Sequence, residues 1–416
     1  MRERKQIYLD GAANAPLGKE AAKAMKPYLK PGFCGNANSA HYFGSVADTA
    51  LHDARVTIAR CLGVSQENVL FTSGATESNN WVIKSLAMAE LAKPEDQRRT
   101  RIVVSATEHA SVLSACDSLK PLGFTVVHVA PIYDGSVLIG SMKKAMRKGK
   151  TLLVCCMAVN NETGAINPAD EIAMAAHEAG AYMLCDLTQA LSLGGDALKV
   201  RKWYPHADFL SFSAHKLYGP TGVGCLIKSG EPLPSLMSGG SQEFGLRSGT
   251  SNVAGAVGMA AAIESLAKCD ETKRYTDLRD LLIYELGALL YDFCGDIGPR
   301  KANVVRYNCK KNNSPYIISL DFSEVIDYPG VLANAFASYG IAVSAGSACS
   351  VDGDDQKPSH VLLAMGRSER RISHTVRVSF TKFTKPSDIK AFVAAAKKLA
   401  GQFPLQERKN ENEESD

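Results

Sequence analysis

The sequence predicts an α/β protein in two parts: a large domain on a mostly parallel sheet covered by helices on both faces, and a smaller C-terminal α+β domain. Two observations carry this. Between residues 68 and 228, short and nearly continuous apolar runs alternate with amphipathic segments, the pattern of parallel strands buried on both sides. At 416 residues and 45% hydrophobic side chains, the chain also exceeds what a single core usually organises. The expected divisions are an N-terminal segment 1–14, a large domain 15–255, a small domain 256–405 and a tail 406–416, whose near-absence of apolar residues predicts disorder.

Taken in order, residues 45–62 put Val46, Ala50, Leu51, Ala54, Ile58 and Leu62 at helical spacing, and Gly63 ends that helix. A strand at 68–72 then passes through Ser73-Gly-Ala-Thr76 into a helix over 77–91. Strand, glycine turn and helix start make an anion site, because the first amides of a helix have no intrahelical partner. Gly74, Ala75 and Thr76 are its candidates, with an ordinary capped helix as the plain alternative. Strands follow at 101–104, 125–129, 151–157 and 181–185, with a helix at 170–179. Apolar runs at 207–210 and 222–227 bracket Ser211-Phe-Ser-Ala-His-Lys-Leu-Tyr-Gly-Pro220, which sets Lys216 in a polar loop at a strand end. An Ala-rich helix at 253–267 and another at 272–293 lead into the second domain, with strands at 316–321, 341–343 and 375–379 and helices at 330–339 and 388–399.

Composition narrows the function by exclusion. Forty-seven basic and forty-three acidic residues leave a formal charge of +4, too little over this length to make nucleic acid or an anionic membrane the main partner. No apolar run is long enough to span a bilayer, and Ile7-Tyr-Leu-Asp10 is too short and too soon acidic for a signal-peptide core, so the expectation is a cytoplasmic protein. The eleven cysteines include no CxxC pair and mostly sit in apolar strands (Cys155, Cys156, Cys185, Cys225), which reads as buried thiols in a reducing compartment, with no metal site. Cys349 differs. Its surroundings, Ser344-Ala-Gly-Ser-Ala-Cys-Ser-Val-Asp-Gly-Asp-Asp355, have the composition of a mobile, exposed loop.

Polar residues gather where strands end: Glu108 and His109 after the 101–104 strand, Asn160-Asn-Glu-Thr-Gly164 after 151–157, Asp186 and Gln189 after 181–185, and Ser213, His215 and Lys216 after 207–210. Open α/β sheets bind ligands beyond the carboxyl ends of their strands. The set suits an aromatic aldehyde phosphate such as pyridoxal 5'-phosphate. Lys216 would bond the aldehyde, Asp186 would stabilise a protonated pyridine nitrogen, Gln189 would reach the neighbouring phenolic oxygen and His109 would stack on the ring, while Thr76, Ser213 and His215 suit the phosphate. Each residue has a duller alternative, such as a helix cap for Asp186 or a surface position for Gln189. Their joint order favours the cofactor.

Longer motifs sharpen this. Thr72-Ser-Gly-Ala-Thr-Glu-Ser-Asn-Asn80, Thr107-Glu-His109, Val159-Asn-Asn-Glu162, Asp186 with Gln189, Ser211-Phe-Ser-Ala-His-Lys216, Gly245-Leu-Arg-Ser-Gly-Thr250, Ser347-Ala-Cys349 and Val376-Arg-Val-Ser379 resemble the cysteine desulfurases of the NifS/IscS type in the class V aminotransferase family. The likeness runs from Tyr8-Leu-Asp10 to about Leu399. It implies the aspartate aminotransferase-like fold type I of pyridoxal phosphate enzymes, a seven-stranded-type sheet and a homodimer. It further implies Lys216 as the cofactor lysine, Asn161 and Arg377 as holders of the substrate carboxylate, and Thr250 reaching the phosphate in the partner subunit. The reaction implied converts L-cysteine to L-alanine, with sulfur passing to Cys349 as a persulfide and on to an acceptor protein, and with His109 exchanging a proton near the ring. A selenocysteine lyase or other β-lyase on the same fold, or a catalytically idle scaffold, are the alternatives. Two departures stand out: the usual D-N-A-A-T-T start is Asp10-Gly-Ala-Ala-Asn-Ala15, and the usual S-x-G after the arginine is Ser379-Phe-Thr381. The segment between Cys349 and Pro358 is slightly long, as in the subtype whose cysteine swings out to a scaffold or thiolation protein.

Overall fold

Twelve strands lie among the described residues: β1 (Ile7–Tyr8), β2 (Val69–Thr72), β3 (Arg101–Ser105), β4 (Thr125–Val129), β5 (Thr151–Cys155), β6 (Tyr182–Asp186), β7 (Phe209–Ser213), β8 (Gly224–Lys228), β9 (Val304–Tyr307), β10 (Ile317–Glu324), β11 (Ile341–Ala342) and β12 (Thr375–Ser379). The structure, a computed structural model, describes residues 6–230, 232–287, 304–309, 313–345 and 358–404. The expected tail 406–416, the end of the helix expected over 272–293 and Cys349 lie outside them.

The central sheet has seven strands in the order β2-β8-β7-β6-β5-β3-β4. Neighbours from β7 to β4 pair in parallel, while β8 runs antiparallel to both β7 and β2. Alternate residues feed two apolar layers, as the pleat requires. Leu70, Ile102, Leu153, Leu184, Phe209 and Leu226 face one, with Trp81 and Val112 from the helices Ala75–Leu91 and Ala110–Asp117. Phe71, Val103, Val154, Cys185, Leu210 and Ile227 face the other, with Ile58, Ile172 and Ile263 from helices Tyr42–Leu62, Ala169–Glu178 and Val253–Ala267. The expected mostly parallel, doubly covered sheet is therefore present.

Several boundaries move, each for a physical reason. The helix expected from residue 45 starts at Tyr42, because His41 caps it by accepting from the Gly44 amide at 3.2 Å; Gly63 ends it at φ 70° as expected. The helix expected at 77–91 starts at Ala75, so Thr76 lies in its first turn. Strand β7 continues through Ser211 to Ser213, where hydroxyls suggested a loop; both serines are buried and satisfied inside the sheet. Gly224 is required by a close approach: a Cβ there would lie 2.4 Å from the Gly74 Cα, so only glycine lets the turn after β2 fold over β8.

The smaller sheet orders β12-β10-β9, all antiparallel. Strand β9 is short, carries Arg306 and pairs on one side only, which hid it in the sequence. The N-terminal β1 pairs in parallel with β11, and Asp10 bridges Ser379, so the start of the chain is stitched to its end. Residue 255, the expected domain boundary, falls inside the helix Val253–Ala267, which packs on Tyr42–Leu62 and Lys19–Met25.

Candidate active site

Three neighbouring strands deliver the central side chains. Asp186 ends β6, directly opposite Ser211 of β7, and β7 runs on to Ser213 before a short turn, Ala214–Lys216, that carries His215 and Lys216. His109 follows β3 as the cap of the helix Ala110–Asp117, its Nδ1 accepting from the Ser111 amide at 3.1 Å. The turn after β2 completes the rim. There the Ala75 amide donates to Ser213 Oγ at 2.8 Å, tying the start of the phosphate-type helix to the end of β7.

Asp186 is buried and held by neutral donors. The Thr188 amide reaches one carboxylate oxygen at 2.8 Å and the Asn79 side-chain amide the other at 3.0 Å. Burial holds His215 down to about 4, with Lys216 and His109 adding to the effect, so its imidazole is neutral at ordinary pH. Lys216 Nζ donates to the Ala13 carbonyl, and the Gln189 amide donates to the Ala12 carbonyl at 3.0 Å while its oxygen accepts from the Tyr316 hydroxyl. The Asp10–Ala15 segment thus lines the lysine side of the site. Thr76 and Thr250 are exposed, and Arg247, in the loop carrying Thr250, pairs with Glu77 at 2.7 Å beside the helix start.

Arg377 brings the small sheet to the same place. Almost fully buried, it donates to the Asn161 carbonyl at 2.9 Å and pairs with Asp10 at 2.7 Å, and its Nε has no partner among the described residues. Asn161 is half-buried with its backbone engaged, whereas its neighbour Asn160 is wholly structural, bonding Thr107, Glu162 and Thr163. The chain on either side of Cys349 is fastened to these elements. Upstream, Ser344 and Arg377 exchange backbone hydrogen bonds at 3.2 and 2.7 Å. Downstream, Ser359 donates to Glu162, and His360 Nε2 donates to the Glu108 carbonyl at 2.9 Å.

Sequence reasoning gave Asn79, Ser111, Ser211, Asp10 and Tyr316 no role in the site, and placed Glu108 there only as a polar residue at a strand end. Asn79 had a signal: Ala75, Ser78, Asn79 and Val82 form the inward stripe of the helix, and an amide on such a stripe needs a buried partner. Glu108 is fully buried, and burial, with Asp186 adding, raises its pKa to about 8. It lies near Cys155, Cys156 and Cys185, whose thiols burial also pushes well above their usual range, so these cysteines are inert. A separate cavity of about 300 Å³, bounded by Asp48, His52, Arg55, Gln242 and Phe244, shares none of these residues.

The aminotransferase class-V family model matches residues 7–392. The cysteine desulfurase IscS of Dictyoglomus turgidum is 38% identical over 392 residues, covering 93% of this chain and 92% of that protein. A solved NifS-like protein superposes with a TM-score of 0.81 at 30% identity, over 96% of this chain and 99% of its own. A structure described as SspA in complex with cysteine does so with a TM-score of 0.72 at 30% identity, over 91% and 100%. A buried carboxylate, a strand-end lysine and a capping histidine on a doubly covered sheet define the class, that of fold type I pyridoxal phosphate enzymes. The chain belongs to the aminotransferase class-V family, in its cysteine desulfurase group.

Proposed function

We propose that the protein is a cysteine desulfurase that holds pyridoxal 5'-phosphate through Lys216, takes sulfur from L-cysteine onto Cys349, releases L-alanine and passes the sulfur to an acceptor protein. The convergence of Lys216, Asp186 and His109 beyond the ends of β7, β6 and β3 carries this reading. The donor set fits the cofactor on three counts. Asp186 is a buried carboxylate with only neutral donors on it, suited to a cationic ring nitrogen; the helix starting at Ala75 offers a phosphate the first-turn amides beyond Ala75, whose own amide is tied to Ser213; and Arg377 keeps a buried Nε, without a partner among the described residues, for the substrate carboxylate.

When bound, the cofactor would act as an electron sink for the bond broken at the substrate α-carbon. Lys216 would anchor it, and its Nζ is the base that would take the α-proton. Asp186 keeps the ring nitrogen protonated, Gln189 serves the phenolic oxygen, and Gly74, Ala75, Thr76, Ser213 and neutral His215 serve the phosphate. Thr250, exposed on its own chain, serves the phosphate of the second subunit in a homodimer. Asn161 and Arg377 hold the carboxylate of cysteine. His109 would lie over the ring and could exchange a proton there.

Sulfur transfer then falls to Cys349. Its thiolate attacks the substrate sulfur; an S–S bond forms, the substrate C–S bond breaks, and the carbon takes a proton. One cysteine and one enzyme thiol give one alanine and one enzyme persulfide. The buried thiols named above cannot compete, being held protonated. Abundant free thiols suit a reducing compartment such as the cytoplasm. Among the described residues no helix is long and apolar enough to cross a membrane.

Borohydride reduction of the yellow protein tests the anchor. Wild type should acquire a stable adduct on the peptide containing Lys216, and Lys216→Ala should acquire none. A stable adduct in Lys216→Ala would overturn the assignment.

A further inference from the structure

We infer that Asn79 is a positioning residue that couples the two sides of the cofactor site, fixing the Asp186 carboxylate directly and supporting the orientation and tautomer of His109 through Ser111. The inference rests on the cofactor reading above and extends it to a side chain that touches neither substrate nor chemistry.

Every hydrogen-bond direction follows from the carboxylate. A carboxylate only accepts, so the Asn79 amide turns its nitrogen to Asp186, at 3.0 Å. The same nitrogen reaches Ser111 Oγ at 3.0 Å, and the amide oxygen, on the opposite side, accepts from the Ser211 hydroxyl at 2.5 Å. Because Ser111 Oγ accepts from Asn79, its own proton is free to point at His109 Nδ1, 2.8 Å away. The Ser111 backbone amide donates to the same Nδ1 at 3.1 Å. Addressed by two donors, Nδ1 carries no proton, and the ring proton is assigned to Nε2. The Asp186 end therefore sends, across Asn79 and Ser111, a second donor to the nitrogen that the Ser111 backbone amide already keeps free of a proton.

The surroundings make this coupling stiff. Asn79 and Ser211 are fully buried and Asp186 and Ser111 nearly so, and in a dry interior each hydrogen bond is strong and each orphaned group costly. Asn79 stands one turn into Ala75–Leu91, so the helix whose start suits the phosphate also carries the clamp on the carboxylate. Among the described residues no cation pairs with Asp186, which leaves its charge for the ring nitrogen.

Purified wild type, Asn79→Leu and Ser111→Ala, each with pyridoxal phosphate bound, provide the test. Leucine keeps the branched shape of Asn79 and removes its amide. Asn79→Leu should retain the cofactor but displace the pH midpoint of its visible band by roughly one unit. Its kcat should fall about tenfold or more, with KM for cysteine within about threefold. Ser111→Ala cuts only the arm to His109 and should leave the band and its midpoint in place while lowering kcat about tenfold. A wild-type midpoint in folded Asn79→Leu, or wild-type kcat in Ser111→Ala, overturns the inference. Should Asn79→Leu fail to fold, Asn79→Ala takes its place, a displaced midpoint upholding the coupling and a wild-type midpoint refuting it. A wild type that shows no visible cofactor band would instead sink the cofactor reading on which this rests.

Discussion

Replacing Glu108 by glutamine changes one proton and almost nothing else, and its effect on stability follows from the structure. The carboxyl accepts the Met157 amide at 2.7 Å in a fully buried position, and its pKa stands at about 8 against an ordinary 4.5. Below about pH 4.5 folded and unfolded chains both hold the proton, and Glu108 costs nothing. Between about 4.5 and about 8 the unfolded chain has released a proton that the folded chain keeps, so folding weakens as pH rises, by about 1.4 kcal/mol per unit. Above about 8 both states are ionised and the loss levels off. The interval, 8 minus 4.5, caps the total at roughly 5 kcal/mol. Glutamine keeps the shape and an acceptor for Met157 but cannot ionise. Urea unfolding of the cofactor-free proteins from about pH 5 to about pH 8 should show Glu108→Gln gaining on wild type by several kcal/mol across the range. A difference that does not change with pH would mean that Glu108 is ionised in the fold, and would refute its assignment as a buried, neutral carboxyl.

The two sequence departures meet in space. A Cβ on Gly11 would lie 2.3 Å from the Phe380 carbonyl oxygen and 2.9 Å from Thr381 Cγ2, so Gly11→Asn should destabilise by about 1–3 kcal/mol, and Thr381→Gly in the same chain should recover part of that. Purely additive shifts in thermal unfolding would show that the positions are independent. Arg377→Lys should keep cofactor content and raise KM for cysteine about tenfold or more, since lysine cannot reproduce the planar fork that spans Asp10 and Asn161. Steady-state kinetics with an unchanged KM would remove Arg377 from the carboxylate site.

Much of the fold could be read from local pattern. Buried parallel strands announce themselves as apolar runs, and the end of each run pointed to Asp186, His109, Asn161 and Lys216. What local pattern could not supply is pairing across the chain. Asp10 meets Arg377 over 367 residues, Gln189 meets Ala12 over 177, and Asn79 meets Asp186 over 107. Polar residues at such distances look like loop or surface positions until the fold brings them together. Ser211 and Ser213 misled for the same reason: a hydroxyl inside a central strand needs a buried partner, and theirs came from the helix Ala75–Leu91. Gly11 and Thr381 read separately as two losses of a family pattern, yet their contact makes them one exchange of bulk between neighbouring backbones.

The central claim is that sulfur leaves cysteine on Cys349. A single turnover with L-cysteine and no reductant, followed by mass analysis of the peptide that contains Cys349 and quantitation of alanine, tests it most directly. In wild type that peptide should gain one sulfur atom for each alanine released, and Cys349→Ser, still yellow, should release no alanine and gain no sulfur. Alanine release from Cys349→Ser at the wild-type rate would contradict the account.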